Sequence, residues 1–158
     1  MLLGVAHSAV CVPDVEEAAR WYAETLGFSV LSPPYLMEGE AIERDMGELI
    51  PIPRLKAAIV GLPGDGDRVL ELIEYPGTAG RARPDGTSIV DQGLTHVGLV
   101  CDDIAETRAE LEARGVRFLT RSTAKIAGLQ TTWFADPWGT VFILMQKRDP
   151  DRPYFAQY

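Results

Sequence analysis

The chain has 158 residues, 46% of them hydrophobic and 24% charged, which is typical of a soluble globular protein with one core or two small halves. Its formal net charge of −8 argues against nucleic acid as a partner, because neutralising phosphates requires clustered lysine and arginine. No run approaches the roughly 20 apolar residues that cross a bilayer, and the apolar N-terminus lacks a basic region. We therefore expect a cytoplasmic protein with no membrane span and no signal peptide.

The first half of the chain predicts a strand, a helix and three further strands. Alternation around His7 predicts the first strand over residues 4–12, and Asp14 is a favourable N-cap for the helix that follows. Gly27 suits the left-handed position that ends a helix. The later strands are predicted at 28–31, 56–62 and 68–75, with a break at Pro33-Pro34, a short helix at 40–46 and a turn at 63–67.

The second half repeats this order after a linker rich in Gly, Pro, Arg and Asp. We predict a first module at 1–75, the linker at 76–93, a second module at 94–147 and a tail at 148–158 that is either loose or docked on a neighbour. Within the second module, we predict strands at 94–101, 116–120, 130–135 and 141–146, and a helix at 103–114 with Asp102 or Asp103 as its cap.

The only two histidines of the chain open the same motif in both halves. His7 begins His-Ser-Ala-Val-Cys-Val-Pro-Asp, and His96 begins His-Val-Gly-Leu-Val-Cys-Asp-Asp. An acidic residue, Asp14 or Asp103, follows seven positions after each histidine. A duplicated fold that repeats its only imidazoles is a candidate for a metal site built by two halves.

The two cysteines, Cys11 and Cys101, also lie near the same point of the two repeats. In a chain without export signals, we expect both to be reduced and buried. A disulfide between them is the alternative.

The duplicated strand–helix–three-strand unit resembles the vicinal oxygen chelate superfamily, which includes glyoxalase I, extradiol dioxygenases and bleomycin-resistance proteins. The matching segments are the two histidine motifs, residues 21–28, residues 70–75 and the Asp-Pro-Trp-Gly turn at 136–139. They span nearly the whole chain outside 32–53 and the tail. The resemblance implies an α+β fold in which two βαβββ modules form a cup-shaped, eight-stranded half-open barrel with the helices outside.

The same resemblance implies that a divalent metal lies in the cup and is held by His7, Glu71 and His96. Glu71 is preferred to Glu74 by its place in the family motif, and strand alternation puts the two on opposite faces, with Glu74 as a solvated residue. Sites with two histidines and one carboxylate keep open coordination positions and suit Fe, Mn, Co, Ni or Zn, so the identity of the metal stays open.

One position departs from the family pattern. Where glyoxalase I and methylmalonyl-CoA epimerase have a second glutamate, this chain has Ile143, which aligns with Glu71 of the first repeat. Isoleucine neither binds a metal nor carries a proton, so a catalytic base would have to be another group such as Glu71 itself. Tyr75, Trp133 and Ile143 are expected to line the pocket, with a plain core role as the alternative.

The leading expectation is a glyoxalase-like, metal-dependent enzyme that acts on a small oxygen-bearing substrate chelated to the metal. The sequence does not separate a lyase, an isomerase and a dioxygenase. The alternative is a bleomycin-resistance-type protein that uses the cup to bind an apolar or aromatic small molecule without catalysis, and a purely structural role is third. A homodimer is expected by resemblance, with each cup built from modules of one chain or of two.

Overall fold

The structure, a computed structural model, describes residues 5–64, 66, 68–81, 89–90 and 92–157. The chain divides into two compact units, Met1–Arg81 and Ala82–Tyr158. The division falls within the stretch predicted as a linker at 76–93, of which residues 82–88 and 91 lie outside the described residues. The same holds for residue 4 of the predicted first strand, for Asp65 and Asp67 of the predicted turn, and for Tyr158 of the tail.

The first unit contains a four-stranded mixed sheet and two helices. Its elements are β1 (His7–Cys11), α1 (Val15–Leu26), β2 (Ser29–Met37), α2 (Glu40–Met46), β3 (Leu55–Gly61) and β4 (Val69–Glu74). The strand order is β1-β4-β3-β2, in which β1 and β4 run parallel and the other neighbours run antiparallel. The short helix α2 has the predicted bounds.

Helix α1 begins and ends where the sequence predicts. The Asp14 carboxylate accepts a hydrogen bond from the Glu17 N–H at 2.8 Å, and Gly27 adopts a left-handed φ of 77° after the last turn. The apolar face of α1 packs on the sheet face that carries Val10, Leu72 and Val60, and all of these residues are buried. Because side chains alternate along a strand, the opposite face of the sheet carries His7 and Glu71.

The second unit has a similar arrangement, with one more strand and, among its described residues, one α-helix instead of two. Its elements are β5 (Val97–Cys101), α3 (Ile104–Ala113), β6 (Arg117–Phe118), β7 (Ala124–Ile126), β8 (Leu129–Ala135), β9 (Val141–Lys147) and a 3₁₀ turn (Tyr154–Ala156). The strand order is β5-β9-β8-β6, and β7 pairs with β8 off this path. The protein is thus a mixed α+β fold, as predicted. It has one sheet of four strands and one of five, neither of them closed, with nine strands among the described residues where eight were predicted.

The two sheets share one register at their histidine strands. In the first unit, Ala9 pairs with Glu71, and in the second, Gly98 pairs with Ile143. Ala9 and Gly98 each follow a histidine by two positions, so Glu71 and Ile143 are structurally equivalent. This agrees with the alignment of the repeats made from the sequence.

Four element predictions were wrong in their bounds. Strand β1, predicted over residues 4–12, begins at His7 and ends at Cys11. Strand β2 continues through Pro33-Pro34 to Met37 instead of ending at 31. It is an edge strand with register shifts between Val30 and Tyr35, and an edge strand tolerates the missing proline N–H groups. Strand β5, predicted from residue 94, begins at Val97, so His96 lies just before it. Strand β6, predicted over 116–120, has only two residues, Arg117 and Phe118.

The tail is not loose but folds back within the second unit. Gln157 is fully buried, and its side-chain amide donates to the carbonyls of Asp149, Arg152 and Pro153. Its side-chain oxygen accepts from the Asp149 N–H at 2.8 Å. The Gln157 backbone lies directly over Gly128, at the tip of the β7–β8 hairpin.

Both cysteines are free thiols, but the expectation that they are buried was wrong. Cys11 is exposed and Cys101 is half-buried. Cys11 is the last residue of β1, which forms an edge of its sheet and is therefore covered on one side only. Among the described residues, no helix is both long enough and apolar enough to span a membrane.

Candidate functional site

The first unit brings two of the predicted metal ligands together. His7 Nε2 lies 3.2 Å from Glu71 Oε2, across the parallel pair β1–β4. The Glu71 side chain is 20% exposed and the His7 side chain 49% exposed, so the carboxylate is partly sheltered while the imidazole faces open space. Parallel pairing of an edge strand with its neighbour places both groups on the sheet face opposite α1.

The separation of these two atoms fits a shared metal ion. Nitrogen and oxygen donors that each lie about 2.1 Å from one ion are separated by roughly 3.0–3.4 Å at octahedral or tetrahedral angles. The donor chemistry also fits, because neutral imidazole and carboxylate are ligands of first-row divalent metals. The same geometry makes an ion pair when His7 is protonated.

Tyr75 and Cys11, which lie on the same sheet face as Glu71, have raised pKa values. Burial raises the pKa of the Tyr75 hydroxyl, and the nearby negative charges of Cys11 and Glu71 raise it further. Burial also raises the pKa of the Cys11 thiol. Tyr75 packs with Met37 and Met46 against a buried cluster on the same sheet face, formed by Leu55, Ala57 and Ile73. Tyr75 therefore stays a neutral hydroxyl beside an apolar wall.

The second unit brings together the other predicted residues. The His96 ring contacts the Trp133 ring edge-on, with centroids 4.8 Å apart, and Trp133 pairs with Ile143 between β8 and β9. The Thr95 hydroxyl lies 2.6 Å from His96 Nδ1. When Nδ1 donates to this hydroxyl, Nε2 keeps the lone pair that binds metals.

The predicted site residues thus fall into two groups at equivalent places of the two units. The first group is His7, Glu71 and Tyr75, and the second is His96, Trp133 and Ile143. Glu71 of the first group has Ile143 as its counterpart in the second, so at this position the first unit has a carboxylate and the second does not.

Glu74 was wrongly predicted to be a solvated residue. Its Oε2 accepts the Val15 N–H at 3.1 Å and so satisfies the N-terminus of α1. Gln146, its counterpart in the second repeat, accepts the Ile104 N–H at α3, also at 3.1 Å. The signal in the sequence was the placement of a side-chain oxygen at the same position of both repeats.

Glu74 also belongs to the only cluster of three potential metal-ligating side chains found among the described residues. Its carboxylate lies within 4.8 Å of ligand atoms of Asp14 and Glu16. Each of the three already has a partner: Asp14 caps the helix, Glu16 pairs with Lys56, and Glu74 accepts the Val15 N–H. We interpret this cluster as a helix cap.

The comparisons with known proteins agree with the fold and its repeats. The sequence profile of the glyoxalase/bleomycin resistance protein/dioxygenase superfamily matches residues 4–144. No curated protein matches the chain.

Three solved structures show the extent of the likeness. A glyoxalase family protein from Bacillus cereus is 18% identical, with a TM-score of 0.78 over 94% of this chain and 97% of that one. A superfamily member from Sphaerobacter thermophilus is 26% identical, with a TM-score of 0.61 over 92% and 98% of the two chains. Glyoxalase I from Leishmania major is 19% identical, with a TM-score of 0.61 over 93% and 88%. The profile match and the duplicated module together show that the chain belongs to the glyoxalase/bleomycin resistance protein/dioxygenase superfamily.

Proposed function

We propose that the protein is a glyoxalase-like, metal-dependent enzyme that acts on a small oxygen-bearing substrate chelated to a divalent metal. The observation that carries the proposal is the convergence of His7 Nε2 and Glu71 Oε2 at 3.2 Å on the sheet face opposite α1. A partly sheltered carboxylate beside an imidazole, next to an apolar wall, suits a ligand pair better than a surface ion pair.

In this proposal, His7, Glu71 and His96 hold the ion, the last from the second module of the same chain or of a partner in a homodimer. The bound metal supplies Lewis acidity that polarises a substrate carbonyl or stabilises an enolate. Glu71 is the catalytic base, because the second module offers only Ile143 at the equivalent position. Tyr75, kept neutral, donates a hydrogen bond to a substrate oxygen. The reaction is that of a lyase, an isomerase or a dioxygenase.

The test is metal binding by the purified protein, freed of metal and titrated calorimetrically with Mn, Co, Ni, Zn and anaerobic Fe(II). We expect one ion per pair of modules, and binding at least about 100-fold weaker in His7→Ala, Glu71→Gln and His96→Ala. Glu74→Gln is the matched control, because it removes a charge from the same strand and from the acidic cluster at α1. Failure of the wild type to bind any of these metals, or full binding by His96→Ala, contradicts the proposal.

The second candidate function is small-molecule binding without catalysis, as in bleomycin-resistance proteins. It is favoured by the group in the second unit, where Trp133 pairs with Ile143 and presents apolar surface in place of a carboxylate. Tight binding of an aromatic ligand that is insensitive to chelators and to Glu71→Gln would select this function over the first.

A further inference from the structure

The second unit contains a cavity that shares no residue with either group of predicted site residues. It has a volume of about 320 Å³ and is lined by residues 125–130, which form the β7–β8 hairpin and the start of β8, and by residues 146–148 at the end of β9. This volume lies within the range of sites that bind small molecules. All lining residues belong to the second unit, so the cavity is a feature of that unit alone.

The charges that line this cavity are all positive. Lys125, Lys147 and Arg148 contribute three cationic side chains, and no carboxylate lines it, in a chain whose net charge is −8. The Lys147 ammonium is engaged with the carbonyls of Pro150 and Arg152. Within the described part of the chain, Lys125 and Arg148 form no ion pair. Two cations thus remain available to a ligand, in a concave site where opposite charge is favoured.

Neutral amides occupy the place where the first unit carries charges. The Gln146 side-chain oxygen accepts both the Ile104 N–H and the Gln130 Nε2–H, at 3.1 and 3.2 Å. With its oxygen used in this way, the Gln146 amide offers its N–H groups as donors, and they have no acceptor among the described residues. The equivalent strand pair of the first unit is Lys56 and Glu74. An anion in this cavity therefore meets amide donors, and no carboxylate lines the cavity.

One wall of the cavity is apolar. Ile126 is 63% exposed and lies next to the two-residue hairpin tip, and Leu129 lies on its other side. At the tip, Ala127 has a φ of 48°, a left-handed conformation that is uncommon for a residue other than glycine. An exposed isoleucine beside unpaired cations matches a ligand with both an apolar part and a negative charge.

We propose that this cavity binds a small organic anion, a carboxylate or a phosphate ester, whose charged group contacts Lys125 and Arg148 and whose apolar part lies against Ile126 and Leu129. Charge-assisted hydrogen bonds from lysine and arginine are the stronger class of such contacts. The site is independent of metal binding by His7, Glu71 and His96, so either proposal can fail without the other.

The test is an NMR titration of the ¹⁵N-labelled protein with phenyl phosphate, benzoate and benzyl alcohol, which share a ring and differ in charge. We expect saturable shifts of the backbone amides of 125–130 and 146–148 with at least one of the two anions, and none with benzyl alcohol. The anion that binds more tightly identifies the charged group.

The double variant Lys125→Gln/Arg148→Gln should weaken this binding by about 100-fold or more, since each of the two lost contacts to a charged group is worth about 1.5 kcal/mol, a factor of about ten. Arg121→Gln is the matched control, because it removes an exposed cation of the same unit from outside the cavity lining. Shifts centred elsewhere, equal binding of benzyl alcohol, or unchanged binding by the double variant would overturn the proposal.

Discussion

At the scale of single residues, a carboxylate and an amide perform one task in the two repeats. Glu74 and Gln146 each accept the first N–H of the helix that follows the histidine strand, both at 3.1 Å. The first N–H groups of a helix have no partner within it, and a partly buried end requires one from elsewhere. An oxygen acceptor is therefore needed at the position of Glu74 and Gln146, whereas a negative charge is not.

Replacing Glu74 by alanine should lower the free energy of unfolding by about 1–2 kcal/mol, because the Val15 N–H loses its acceptor. Glu74→Gln should lower the free energy of unfolding less, because the amide oxygen of Gln146 accepts the equivalent helix N–H in the second unit. Urea denaturation at neutral pH measures both. Glu24→Ala, at an exposed position of the same helix, is the control and should have little effect. A cost for Glu74→Ala no larger than for this control would show that the bond does not stabilise the helix.

At the scale of elements, those whose ends are marked by residues nearby in the sequence could be predicted, and those defined by contacts with distant segments could not. Helix α1 could be predicted because Asp14 and Gly27 mark its ends within the chain itself. The proximity of His7 and Glu71 was implied by the family resemblance, and strand alternation added only that Glu71 and Glu74 lie on opposite faces. Strand β7 was not predicted, because all three of its residues are exposed and only pairing with β8 defines it. The cap made by Glu74 depends on where a helix docks, which alternation alone does not specify.

The docking of the tail on the β7–β8 hairpin gives an element-scale prediction. A Cβ at Gly128 would collide with the backbone of Gln157, and the φ of Gly128 is 78°. Gly128→Ala should therefore displace the tail and disrupt the buried hydrogen bonds of Gln157. Gly115→Ala is a matched control, because its φ is 85° and no atom lies within 4 Å of the added Cβ.

We expect Gly115→Ala to lower the free energy of unfolding by about 1 kcal/mol, because an alanine in the left-handed conformation is strained. Gly128→Ala should lower it clearly more. Urea denaturation gives the two free energies of unfolding, and limited proteolysis reports whether the tail becomes accessible. If the two variants lose the same free energy of unfolding and the tail stays protected from proteolysis, the contact between residue 128 and Gln157 can adjust without loss of stability.

At the scale of the whole molecule, four side chains of the described residues have pKa values above their ordinary values. Burial raises the pKa of the Cys11 and Cys101 thiols and of the Tyr75 hydroxyl. The pKa of the Lys56 ammonium is raised mainly by its hydrogen bond to Glu16. In each case the folded state favours the protonated form more than the unfolded chain does. By linkage, this stabilisation is fully present below the unfolded pKa and is lost as the pH rises through the folded one.

We therefore expect the free energy of unfolding to stay level with respect to these groups up to about pH 8 and to fall progressively above about pH 9, where unfolded thiols and then phenols ionise. Urea denaturation at a series of pH values from 7 to 11 measures the fall. Replacing both cysteines by serine should remove its first part, between about pH 9 and 10, since serine does not ionise there, and should leave the later part, which belongs to Tyr75 and Lys56. A stability that rises with pH in this range, or a double variant whose stability varies with pH as the wild type's does, would contradict the assignment of the fall to these four groups.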